Sequence, residues 1–210
     1  MYYVPGVAHV DQPLGSWKEE TAPSGQGGLG HVSHSTYGTG GPDIGLIATG
    51  TRPIAPRIRV SDGWQDAPVS TVGHPGDLRL GMQVCHSGFA DATQAAGSYR
   101  CGTVSADCLA SSTTCRVTNP AGLVSGGDSG GAVWWYDGQG GVVLHGWVKA
   151  ASGTQVDGSW TTMHFVPPWV LQNHPWTTAQ TWQGTSGVSP FPAGPHHTGC
   201  FVTTQGCVRS

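Results

Sequence analysis

Short runs of β-branched, aliphatic and aromatic residues recur along the chain, at residues 44–48, 54–60, 102–105, 132–136, 142–148 and 160–166. Glycine, proline, asparagine and aspartate clusters separate them. Runs of that length between turn formers read as strands, and they leave little room for long helices. Charged residues make up only 10% of the chain, while 34 residues are glycine, so strong helix formers are scarce. An all-β architecture follows. Asp137-Gly138-Gln139-Gly140-Gly141 predicts a hairpin turn between two buried strands. One helix start stands out, Pro167-Pro168-Trp169-Val170-Leu171, because proline is tolerated in a first helical turn; this helix would end near His174-Pro175. Residues 176–195, rich in threonine, glycine, serine and proline, read as an extended tail, closed by Cys200 and Cys207 as a small loop.

Several classes are disfavoured. Nine tryptophans and the apolar runs supply surface to bury, which argues against disorder. A net charge of −3 without a basic stripe gives no footprint for nucleic acid. The apolar runs fall well short of the roughly 20 residues of a membrane-spanning helix. Met1-Tyr2-Tyr3-Val4-Pro5 lacks the charged start and apolar stretch of a secretion signal, yet 6 cysteines in closely spaced pairs suit disulfides and an oxidising compartment. The two observations are reconciled if an in-frame upstream region supplies the signal, and a secreted protein is expected.

Gly126-Gly127-Asp128-Ser129-Gly130-Gly131 is the segment that carries chemistry. A serine flanked by glycines can sit on a sharp turn with its hydroxyl uncovered. The amides of Gly127 and Ser129 can then converge on one point, where two N–H donors would stabilise an acyl-transfer oxyanion. Glycine at 127 permits a backbone conformation that a side chain resists. Asp128 would turn inward and anchor the loop. The plainer reading is a glycine-rich turn of the sort common in all-β proteins.

Gly127-Asp128-Ser129-Gly130-Gly131 resembles the nucleophile motif of the chymotrypsin-like (trypsin-like) serine proteases, and other segments resemble their secreted bacterial branch in the same order. Residues 80–88, followed by Cys101-Gly102-Thr103-Val104, are similar to the disulfide-linked hairpin that opens the second barrel. Residues 35–47 resemble the glycine- and proline-rich turn that carries the family's aspartate into an apolar strand. Residues 2–10 resemble the strand that ends in its histidine, residues 143–152 the strand that pairs with substrate, and residues 168–174 the closing helix. The likeness runs from about residue 2 to 174 and leaves the tail outside.

The resemblance implies two six-stranded antiparallel β-barrels, the first incomplete at its N-terminus, with a short C-terminal helix and an extended tail. The divisions would be residues 1–68, 69–175 and 176–210. It implies a serine endopeptidase in which Ser129 attacks, His9 is the general base, Asp43 orients the imidazole, and the Gly127 and Ser129 amides hold the oxyanion. Leu123 would floor the primary specificity pocket, and the backbone of Lys149, Ala150 and Ala151 would pair with an extended substrate. An apolar floor makes cleavage after lysine or arginine unexpected and favours a small or apolar residue. No cofactor or metal is implied, and a monomer acting on a polypeptide is expected, without nucleic acid or membrane partners. The resemblance favours Cys85–Cys101, and proximity favours Cys108–Cys115 and Cys200–Cys207. No Cys-x-x-Cys occurs, and the cysteine pairs have no histidine at ligand spacing except His196-His197 before Cys200.

The chain also departs from the pattern. Ala8-His9-Val10 lacks the cysteine that normally follows the histidine, few residues precede His9 where the family has further strands, and Lys149 stands where serine is usual. Two alternatives therefore stay open: an inactive protease homologue that acts as a binding module, and a truncated gene product.

Overall fold

The computed structural model describes side chains for residues 57–60 and 66–170, backbone as far as residue 172, and further short strands by their backbone. The elements in the continuous part are β5 (Arg57–Arg59), β6 (Asp66–Val72), β7 (Gln83–Ser87), α1 (Asp91–Ala95), β8 (Tyr99–Val104), β9 (Cys115–Thr118), β10 (Ala132–Tyr136), β11 (Val142–Val156), β12 (Ser159–Val166) and α2 (Pro168–Gln172). Before them come β1 (Tyr2–Tyr3), β2 (Ser16–Trp17), β3 (Gly30–Ser35) and β4 (Gly45–Ala48), and after them β13 (Cys200–Thr203) and β14 (Gly206–Arg209).

Strands β10, β7, β8, β9, β12 and β11 pair in that order, and β10 pairs again with β11, so a six-stranded barrel closes with every pairing antiparallel. Strand β6 lies along β11 in parallel and carries β5 on its other edge. The division expected after residue 68 falls inside β6. Strands β1 to β4 form a four-stranded sheet in the order β1-β4-β3-β2. One closed barrel therefore stands among the described residues, where two were expected. The N-terminal strands found there make a sheet whose ends are not paired with each other.

The apolar pattern explains why this barrel holds. Its interior is filled by Leu78, Val84, Val104, Val117, Leu123, Val133, Val148, Met163 and Phe165, with Trp169 of α2 packed into the same cluster. A second cluster, with Ile58, Val69, Val72, Trp134, Leu144 and Trp147, brings residues of β5 and β6 against the barrel strands. Residues 132–135 and 142–148 are therefore near-continuous apolar runs rather than alternating ones, because both faces are covered. Each branched or aromatic side chain buried in this way contributes about 1.5–3 kcal/mol.

The turn expected at residues 137–141 joins β10 to β11, with the Asp137 carboxylate accepting from the amides of Gln139 (2.7 Å) and Gly141 (2.9 Å). Two expected disulfides are present, Cys85–Cys101 between directly paired residues of β7 and β8, and Cys108–Cys115. Strands β13 and β14 form the chain's last hairpin, with Val202 opposite Cys207; the side chains of Cys200 and Cys207 lie outside the described residues.

Candidate active site

The loop at residues 125–131 crosses from the barrel interior to the start of β10. Asp128 is the reason for its shape. Its side chain is 1% exposed, and its carboxylate accepts hydrogen bonds from the amide of Ala90 (3.0 Å), the hydroxyl of Thr93 (2.7 Å) and the amide of Ser125 (2.9 Å). Two of these donors come from the start of α1, so the helix and the loop position each other. A buried carboxylate with three donors is well satisfied, whereas a buried donor left without an acceptor costs about 1–3 kcal/mol.

The backbone follows. Gly127 has φ +104°, a left-handed conformation that glycine adopts without strain. The amide of Asp128 donates to the Ser125 carbonyl (3.1 Å) and that of Gly131 to the Asp128 carbonyl (2.9 Å). The loop is then tied to β11 by a reciprocal pair: Gly130 N–H to the Val148 carbonyl (2.8 Å), and Val148 N–H to the Gly131 carbonyl (2.9 Å). Among the described residues, the amides of Gly127 and Ser129 have no protein acceptor, although their neighbours at 128, 130 and 131 do. Ser129 is half-buried, and its hydroxyl has no partner among the described residues.

Strand β11 continues past this contact. Beyond Val148 it pairs only with β12 among the described residues, which leaves its other edge unpaired from Lys149 onward. The register shifts between Val148 and Ala150, so Lys149 is the extra residue of a β-bulge. Bulges re-aim side chains and are over-represented next to active sites. Lys149 is half-buried, and Ala150 and Ala151 are exposed. Leu123 is fully buried in the barrel core, with its carbonyl accepting from His86 Nε2 at 2.8 Å.

His9 and Asp43 lie outside the described residues. The backbone pairs β1 with β4, Tyr2 opposite Ile47 and Tyr3 opposite Leu46, so the strand before His9 runs beside the strand that follows Asp43. His86 is a neighbour that the sequence did not single out. It is fully buried, and burial holds its pKa below the usual histidine value even though the nearby Asp128 pulls it upward. Nor did the sequence point to Thr93, which reaches Asp128 across a separation of 35 residues. No run or spacing signals such a contact.

Among the described residues, no group of three or more histidines, cysteines and acids sits together as metal ligands would. The cluster at His196-His197 lies outside them. The closed antiparallel barrel with two disulfides is compatible with a chymotrypsin-like fold. No protein-family model matches the chain, and no curated protein matches it significantly.

Proposed function

We propose that this protein is a secreted serine endopeptidase of chymotrypsin-like type. The observation that carries the reading is that the amides of Gly127 and Ser129 have no acceptor among the described residues, on a turn held by the buried carboxylate of Asp128. Donors on either side of Asp128 that have no acceptor among the described residues, beside a serine hydroxyl, suit an incoming oxyanion. An extended substrate adds to the free edge of β11 at residues 149–151, which brings its carbonyl carbon to Ser129 Oγ. His9 accepts the hydroxyl proton as Oγ attacks, and the tetrahedral oxyanion is held by the Gly127 and Ser129 amides. His9 then returns the proton to the leaving amine. Asp43 keeps the imidazole in the required tautomer, and water repeats the sequence on the acyl-enzyme.

A fluorophosphonate probe tests this directly. Intact mass should show one adduct on the folded wild type and none on Ser129→Ala or His9→Ala. A folded wild type that takes no adduct overturns the enzymatic reading. It would leave the inactive binding homologue, which the lysine at position 149 favours.

A further inference from the structure

Strands β9, β12 and β11 run side by side just beyond the candidate active site, and their outward-facing residues form a cationic cluster. Arg116 of β9 is directly opposite His164 of β12, and His164 is directly opposite Ala150 of β11. Directly opposed residues have Cβ atoms about 4.5–5.5 Å apart, and like charges so placed destabilise a sheet. The bulge at Lys149 brings a third basic side chain to the same neighbourhood.

These groups have few partners of their own. His164 Nε2 lies 2.7 Å from the Ser152 hydroxyl, and Arg116 Nε donates to the Ser105 hydroxyl at 2.8 Å, which leaves the two terminal guanidinium nitrogens of an exposed side chain. The ion pair recorded among the described residues joins Arg79 to Asp107 (4.0 Å), and none involves Arg116, Lys149 or His164. Partial burial, and then the charges of Arg116 and Lys149, keep the imidazole below its ordinary pKa. His164 is therefore neutral at pH 7, which lets the two cations share the face. A carboxylate arriving there would meet two cations, a hydroxyl and an imidazole able to take up a proton. The exposed Ala150 and Ala151 offer only methyl groups in its way.

We infer that this face is an acid-selective subsite: it binds an aspartate or glutamate side chain of a polypeptide laid along residues 149–151, through Arg116, Lys149, Ser152 and His164. The inference rests on the peptidase reading for its substrate, and it is independent of the small or apolar preference expected from Leu123.

The test measures binding apart from turnover. Full-length Ser129→Ala would be titrated by fluorescence anisotropy with labelled alanine-glycine peptides carrying a single glutamate, or its glutamine isostere, at successive positions. At one position the glutamate peptide should bind about tenfold more tightly at low salt, the scale of one charge-assisted contact. That preference should shrink as salt rises and be lost in Arg116→Gln. It should grow from pH 7.5 to 5.5 as His164, faced by Arg116 from β9 and by Lys149 and Ser152 from β11, protonates beside the carboxylate; His164→Gln should abolish this growth. Equal binding of both peptides at every position overturns the subsite, even where the wild type cleaves them. Selective binding by a wild type that cleaves neither peptide upholds the subsite and removes the peptidase.

Discussion

Asp128 and Ser129 are adjacent in sequence and opposite in treatment: one is sealed behind three hydrogen bonds, and the other has a hydroxyl with no partner among the described residues. The motif made both roles legible, because an acid among glycines is inexpensive to bury only where backbone donors converge on it. Buried histidines were not legible, since a lone histidine in a strand has no distinguishing neighbours. His145 of β11 is one. It is 5% exposed, and its Nδ1 has no hydrogen-bond partner among the described residues. Burial, opposed by the attraction of Asp77, lowers its pKa from 6.5 to about 4. The folded chain thus binds this proton less readily than the unfolded chain. The stability is fully present above 6.5 and is lost as pH falls towards 4, after which both states are protonated and this group adds no further loss. Between pH 7 and 5 the loss should amount to about 2 kcal/mol. Urea unfolding at these two pH values should show a loss smaller by about 2 kcal/mol in His145→Gln than in the wild type, the remainder falling to His86 and His164, whose pKa values are also lowered. An unchanged pH dependence in the variant would show that the proton is taken up elsewhere.

At the scale of elements, the loop at residues 125–131 holds its shape through contacts with β7, α1 and β11. The carbonyls of Ser87 and Asp128 press against Gly131, where a Cβ would run into both. At Gly127 a Cβ would make only ordinary van der Waals contact, with the nearest atom, Ala90 Cα, at 3.5 Å. Gly131→Ala should therefore destabilise by about 3 kcal/mol through overpacking. Gly127→Ala should cost about 1–2 kcal/mol through its positive φ alone. Equilibrium unfolding of the two variants gives the order, and a Gly127→Ala that is the more damaging would refute this account of the loop. The strands at 132–136 and 160–166 were readable from residue type, the first to the residue. Strand β11 was expected to end near 148 and runs to Val156. It crosses Gly153 because β12 supplies a partner along its length. Helix α1 was missed because its alanine-rich stretch has no side-chain cap to announce it.

Over the whole molecule, pairing joins distant parts of the chain: within the barrel β10 pairs with β7 and β9 with β12, and outside it β6 pairs with β11. Such pairings require loop closure before they yield stability, so folding should be slow for the size of the chain. With disulfides intact, refolding followed by tryptophan fluorescence should take milliseconds to seconds. Relaxation within microseconds would contradict a closed barrel. The sequence by itself determined the all-β class, the turn at 137–141, the closing helix and the glycine-flanked serine, because each depends on local backbone preference and on short-range alternation of apolar residues. Tertiary structure alone decided that one barrel closes among the described strands, that Leu123 is core, and that Thr93 and Ala90 hold Asp128. It also decided that Arg116, Lys149 and His164 share a face. Those outcomes depend on which strands pair and in what register, and register is fixed only when the interior packs.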